Sequence, residues 1–166
     1  MTRRSITKRA VIVTATAFVA VGTVSAGVGL AGQESSKETS KKQVAALFDT
    51  WNAALQTGDP DKVADLYEKN AVLLPTVSNK VRTDRAEIVD YFDHFLQNKP
   101  VGKKIQTIVD ILDSDSAIDT GVYEFTLTDP GTGEKRVVEA RYTYVYEKTD
   151  DKWLIVNHHS SAMPEG

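Results

Sequence analysis

Apolar positions between residues 43 and 56 recur at the spacing of a helix. Residues 44, 47, 48, 51, 54 and 55 are all apolar and would share one helix face. The following TGDP predicts a second helix, because Asp59 can cap its N-terminus and Pro60 costs no hydrogen bond in the first turn. Val63, Leu66 and Tyr67 are expected to continue the apolar face of this second helix.

A short strand and a third helix follow. AVLLPT, residues 71–76, reads as a strand that Pro75 stops. The stretch from residue 83 to residue 100 predicts a helix with Thr83 or Asp84 as its N-cap. The apolar side of that helix is formed by Ile88, Tyr91, Phe92 and Phe95.

Beyond Pro100 the spacing changes from helical to alternating. Four β-rich segments follow one another, and DPGTGEK and KTDDK are typical hairpin connections. Helices followed by long antiparallel strands indicate an α+β domain. We expect the helices to pack on one face of a curved sheet and to enclose a cavity, as in a cone.

The N-terminal segment predicts export. A basic start containing Arg3 and Arg4 precedes an uncharged run, and small residues end that run at Ala26 and Ala31. Residues 1–31 therefore resemble a secretory signal of the twin-arginine type. A membrane anchor is the alternative, since the run is long enough to cross a bilayer. Residues 32–42 are polar and are expected to form a flexible linker, which leaves residues 43–166 as the working domain, outside the cytoplasm.

The composition excludes several classes of partner and active site. The net charge of −3 does not suggest a nucleic-acid partner, and the absence of cysteine removes disulfides, thiolate metal sites and cysteine nucleophiles. The sequence also lacks a glycine-rich phosphate loop and a nucleophile elbow.

The polar side chains of the last two strands are the candidate catalytic or binding groups. Side chains alternate along a strand, so His158 and Ser160 share one side with apolar Leu154 and Val156 and are expected to face the cavity. The preceding strand would place a tyrosine ladder beside them, formed by Tyr142, Tyr144 and Tyr146. Such a pocket, apolar with polar spots, suits a small polar ligand.

Two other uses of these residues stay open. A metal site could combine His94 with His158 or His159 and a carboxylate, although zinc usually takes three or four protein ligands. Ser160 lacks a carboxylate behind His158 and so does not resemble a triad nucleophile. Structural roles in the core would explain each histidine and tyrosine equally well.

The ordered motifs WNAALQTGDPDKVADLY, AVLLPT, YFDHFL, ARYTYVY and HHSSAMPE resemble the association domain of calcium/calmodulin-dependent protein kinase II. That family has the nuclear transport factor two-like fold. AVLLPT, ARYTYVY and HHSSAMPE are similar, more narrowly, to iota-class carbonic anhydrases. The resemblance implies a dimeric or larger assembly that interconverts carbon dioxide and bicarbonate. It implies no cofactor for several members, and zinc or manganese for others.

The resemblance also implies site residues. Bicarbonate would be held by Thr76, by Ser160 with Ser161 as the fallback, and by a tyrosine, with Tyr91 the first choice and Tyr144 the second. His158 would accept the proton released from water. Further substrate contacts are expected from neighbouring residues of the last two strands. These are Tyr142, His159 and Arg141.

Other functions of the same fold remain alternatives. They are a small-molecule isomerase or dehydratase, a ligand-binding protein, and a non-catalytic oligomerisation module. An isomerase would need a buried acid, and Asp90 and Glu124 are the acids expected nearest the cavity. The strand positions where the kinase domain carries arginines hold Tyr144 and Ser160 here, which favours a small substrate over a large anion.

Overall fold

The structure, a computed structural model, describes residues 31–165, with side chains from Ser40 onward. The helices are α1 (Ala31–Gln56), α2 (Pro60–Ala64) and α3 (Arg85–Phe95), and α3 continues into a 3₁₀ turn (Leu96–Asn98). The strands are β1 (Tyr67–Leu74), β2 (Val101–Ile111), β3 (Ser116–Thr128), β4 (Lys135–Thr149) and β5 (Lys152–Ala162). No helix within the described residues is long and apolar enough to span a membrane. The predicted export signal lies outside them, except for Ala31.

Helix α1 buries the apolar face that its sequence predicts. Val44, Phe48, Trp51 and Leu55 are all buried in the core. The helix begins at Ala31, however, so residues 32–42 are helical rather than the predicted flexible linker. Five of these eleven residues are glutamate or lysine, which are good helix formers and can extend a helix that packing has already anchored.

The capping residues of α2 and α3 are those that the sequence predicts. Asp59 accepts hydrogen bonds from the first backbone N–H groups of α2, and Asp84 accepts one from Glu87 N–H at 2.9 Å. Helix α2 ends at Ala64, so the prediction that Tyr67 continues its apolar face is wrong. Tyr67 instead begins β1, where its ring is buried among core side chains.

The five strands form one sheet in the order β1-β5-β4-β3-β2. Strands β2 to β5 pair antiparallel, while β1 runs parallel to β5 and thereby places the C-terminal strand in the interior of the sheet. With the helices packed on its inner face, the sheet gives the predicted α+β cone. Strand β1 ends at Leu74, before Pro75, and Thr76 follows at the edge of the cone.

A β-bulge interrupts β5 at Val156. Tyr146 pairs with Ile155 and its neighbour Val145 pairs with Asn157, so Val156 is the extra residue. Before the bulge it is Ile155 that is buried, whereas the alternation had assigned Leu154 and Val156 to the core. After the bulge His158 and Ser160 face inward, as predicted, because the extra residue exchanges the two faces of the strand.

Candidate functional site

A cavity lies between the inner face of the sheet and helices α1 and α3. Its volume for water-sized molecules is about 60 Å³, room for a few waters. Most of its wall is aliphatic or aromatic, and the polar atoms come from a few side chains. The wall is formed by Trp51, Leu73, Pro75, Thr76, Val77, Tyr91, Phe92, Phe95, Tyr123, Phe125, Leu127, Val138, Ala140, His158 and Ser160.

Three hydroxyl groups from distant parts of the chain meet in this wall. Tyr123 on β3 donates to Ser160 Oγ at 2.5 Å, and Ser160 is also hydrogen-bonded to Thr76. Burial raises the pKa of Tyr123 far above its usual value, so its hydroxyl stays neutral and can donate. Three hydroxyl hydrogens serve two hydrogen bonds, which leaves one hydrogen for a ligand.

His158 is held in one orientation by a second buried chain. Trp51 Nε1–H donates to the Tyr67 hydroxyl at 3.1 Å, and that hydroxyl lies 2.8 Å from His158 Nδ1. Because the indole can only donate, we assign the tyrosine hydrogen to Nδ1 and the imidazole proton to Nε2. Nε2 is buried and has no hydrogen-bond partner. Burial lowers the pKa of His158 to about 3, so the ring is neutral near pH 7.

Neither of the two tyrosines predicted from the sequence belongs to the hydroxyl chain. Tyr91 lines the cavity but does not belong to the hydroxyl chain, and burial raises its pKa to about 12. Tyr144 is fully buried and stacks on His158, with their ring centroids 4.2 Å apart, yet it is not part of the cavity wall. Tyr123, which was not among the predicted residues, supplies the tyrosine of the hydroxyl chain.

The other substrate contacts that were predicted do not reach the cavity. Arg141, His159 and Ser161 lie on the outer face of the sheet, around a separate polar hollow, because the strands alternate inner and outer side chains. Tyr142 points inward, but its hydroxyl donates to Asp119 at 3.0 Å and does not line the cavity. The structure therefore brings none of these four side chains into the cavity wall.

A buried acid is the second feature that the sequence analysis missed. Asp119 on β3 is completely buried, with Lys104 Nζ 3.8 Å from its Oδ2. Burial raises the pKa of this carboxyl against the pull of Lys104. Asp90 is exposed and Glu124 pairs with Lys103, so neither is the buried acid that was sought. Asp119 falls on the same alternate positions of β3 as the buried residues, and this pattern could have identified it from the sequence.

The cavity does not offer the ligands of a metal site. Its wall contributes one imidazole, that of His158, and no carboxylate. Within residues 31–165 no group of three or more histidine, aspartate or glutamate residues is placed to hold an ion. His94 makes a local hydrogen bond instead: its Nδ1 donates to the Asp90 carbonyl on α3 at 2.8 Å. The donor set does not fit zinc or manganese.

Comparisons with known proteins identify relatives of the whole domain. The family model of the calcium/calmodulin dependent protein kinase II association domain matches residues 40–164. A solved structure from Xanthomonas campestris, named as a candidate association domain of that kinase, is 64% identical, with 75% of this chain and 88% of that chain covered and a TM-score of 0.74. No protein of curated function matches the chain.

More distant structures share the fold alone. The association domain of CaMKII from C. elegans is 16% identical, with 76% of this chain and 98% of that chain covered and a TM-score of 0.64. A candidate dehydratase of the NTF2-like family from Streptomyces avermitilis is 18% identical over 76% of this chain and 98% of its own, with a TM-score of 0.66. Proteins of this fold thus include association domains and candidate enzymes.

Proposed function

The chain belongs to the calcium/calmodulin-dependent protein kinase II association-domain family, and we propose that its cavity catalyses the reversible hydration of carbon dioxide to bicarbonate. The observation that carries this proposal is the hydroxyl chain of Thr76, Ser160 and Tyr123 in the wall of a small apolar cavity. The sequence resemblance to iota-class carbonic anhydrases supports it.

The cavity has the size and polarity that the two reactants require. Carbon dioxide is small and uncharged, and the wall around Phe92, Phe95 and Phe125 is apolar. Water and bicarbonate need hydrogen-bond donors, which the hydroxyl chain supplies.

Catalysis in this proposal rests on fixed donors. A water oxygen attacks the carbon of carbon dioxide, a new C–O bond forms, and negative charge develops on the carbon dioxide oxygens. The free hydroxyl hydrogen of the Thr76–Ser160 pair stabilises that charge, because it is oriented before the reaction begins. Removing one such donor commonly slows an enzyme by about 10²–10³-fold.

The proton released from water goes to solvent rather than to His158. With burial lowering its pKa to about 3, the imidazole is too weak a base to hold a proton near neutrality, so this proposal does not use it as the acceptor. We assign the transfer to buffer or water at the mouth of the cavity, reached past Thr76, which is only half-buried. The rate should therefore rise with buffer concentration.

A stopped-flow assay of carbon dioxide hydration tests the proposal. The wild-type domain should accelerate hydration in the presence of a chelator, and Ser160→Ala should reduce kcat/KM by about tenfold or more. Ser161→Ala is the matched control, because this neighbouring serine faces the outer side of the sheet. Wild-type protein that is folded but no faster than buffer would refute the proposal, as would equal losses in the two serine variants.

We also propose that the domain associates with copies of itself. The support is its membership of a family named for association, together with apolar side chains on the outer face of the sheet. Val101, Ile108 and Val137 are about half exposed there or more. Light scattering should give a multiple of the protomer mass, and Ile108→Glu should lower it. A wild-type monomer at micromolar concentration would contradict this.

A further inference from the structure

Arg82 lies beside the cavity, in a place fixed by its backbone. Its N–H and C=O each hydrogen-bond to Leu73 at 2.9 Å, as an isolated bridge against β1. Leu73 itself lines the cavity. The backbone of Arg82 is therefore held directly beside a residue of the cavity wall.

The guanidinium group of Arg82 is largely withdrawn from solvent. Its side chain is 11% exposed, Nη1 donates to Asp90 Oδ2 at 2.6 Å, and the group lies 5.9 Å from the centre of the Tyr91 ring. Nε is buried and has no hydrogen-bond partner. An unpaired buried donor on a charged group is costly, and an added acceptor would remove that cost.

Arg82 also lines a second hollow of about 250 Å³, which we call the Arg82 hollow and which is large enough for a small ligand. Its wall includes Val77, Tyr91 and Phe95, which also belong to the cavity wall, so the two spaces adjoin. The remaining wall residues are polar or cationic and include no carboxylate. They are Ser78, Arg82, His94 and Asn98.

We propose that the Arg82 hollow binds a small planar oxyanion, either bicarbonate or a short carboxylate, with the Arg82 guanidinium as its anchor. The choice of bicarbonate rests on the proposed function, since the hollow adjoins the cavity where that anion would form. Asp90 competes for the same guanidinium, which keeps the site weak enough to release its ligand.

His94 distinguishes the two candidate anions. Its Nδ1–H donates to the Asp90 carbonyl, which leaves Nε2 as the ring atom that can accept a hydrogen bond when it carries no proton. Bicarbonate carries a hydroxyl that can donate to Nε2 while its carboxylate accepts from Arg82. Acetate has no such hydroxyl, so it should bind more weakly if bicarbonate is the natural ligand.

Nuclear magnetic resonance of the ¹⁵N-labelled domain tests the site without requiring turnover. Titration with sodium bicarbonate at constant ionic strength should shift the Arg82 Nε–H and nearby amide signals saturably, with sodium acetate and sodium chloride as parallel arms. Arg82→Gln should weaken binding by about tenfold or more, since a charged hydrogen bond is lost. Asp90→Asn should tighten it, because the competing carboxylate is gone. Arg85→Gln, which removes an exposed arginine paired with Asp61 and Asp65, should leave it unchanged.

The outcomes separate this site from the proposed reaction. A saturable shift that Asp90→Asn strengthens supports the site even if the domain proves inactive towards carbon dioxide, and a stronger response to acetate assigns it to carboxylates. An equal response to chloride, no saturable shift in the wild type, or unchanged binding in folded Arg82→Gln overturns it. Should Arg82→Gln fail to fold, unchanged or weaker binding in Asp90→Asn overturns it as well.

Discussion

The hydroxyl of Tyr67 lies 2.8 Å from Nδ1 of His158, and the same hydroxyl accepts from the Trp51 indole. Residues from β1, β5 and α1 are thereby joined in one buried chain of hydrogen bonds. The chain selects one tautomer of a neutral imidazole and leaves the buried Nε2–H without a hydrogen-bond partner. Its members are separately unremarkable in the sequence.

Tyr67→Phe should destabilise the domain, because it leaves both Trp51 Nε1 and His158 Nδ1 unpaired in the core. Unsatisfied buried groups of this kind cost about 1–3 kcal/mol each. Urea unfolding should show the loss, and ¹⁵N spectra of the His158 ring should show a mixture of tautomers where the wild type has one. A single unchanged tautomer in Tyr67→Phe would disprove the assignment of the hydrogen bonds.

Stability should fall in acid because of His158. Its folded pKa is about 3, below the usual value of 6.5, so between these values the unfolded chain binds a proton that the folded protein excludes. This stabilisation is complete above pH 6.5 and is lost as the pH falls towards 3, with a slope of up to about 1.4 kcal/mol per pH unit. Unfolding free energies of His158→Gln should change less over this range, with His94→Gln as the control; parallel curves for wild type and His158→Gln would contradict the shift.

The two cavity tyrosines can be compared directly. Tyr123→Phe removes the donor to Ser160 and should lower kcat/KM for carbon dioxide hydration by about tenfold or more. Tyr91→Phe deletes a hydroxyl that is outside the hydroxyl chain and should cost less than about threefold. A larger loss in Tyr91→Phe than in Tyr123→Phe would restore the assignment made from the sequence.

Asp119→Asn should be more stable than the wild type at neutral pH. Burial raises the folded pKa of Asp119, so the ionised carboxylate is a penalty on folding that a neutral amide avoids while still accepting from Tyr142. The advantage should vanish in acid, below the unfolded pKa, where the wild-type carboxyl is protonated in both states. Asp129→Asn should behave oppositely, because backbone N–H groups of Thr132 and Gly131 lower the pKa of that exposed carboxyl. Thermal melts at neutral and acidic pH show whether each substitution raises or lowers the stability of the domain.

Gly121→Ala should disrupt the pairing of β2 with β3. A Cβ at this position would lie 1.9 Å from the Gln106 carbonyl oxygen, at the bulge between Lys104 and Gln106. Backbone cannot yield as a side chain can, so we expect a loss of about 2 kcal/mol or more. Gly131→Ala meets only Asp129 Oδ1 at 3.4 Å and should melt like the wild type in circular dichroism. Equal melting temperatures of the two variants would show that the sheet tolerates the clash.

The sequence by itself determined most of the secondary-structure elements and, for several of them, which face is buried. Helical spacing identified the buried face of α1, and side-chain chemistry identified the caps Asp59 and Asp84, because these signals act over a few neighbouring residues. Alternation likewise separated His158 and Ser160 from His159 and Ser161.

Only the tertiary structure decided which side chains meet. The bulge at Val156 exchanges the faces of β5, so Ile155 and His158 both point inward, which strict alternation forbids. Tyr67, Asp119 and Tyr123 reach their partners across long stretches of chain, and a β-sheet sets those distances by strand order and register. Local patterns carry no information about that order, because any tyrosine on the inner face satisfies them equally well.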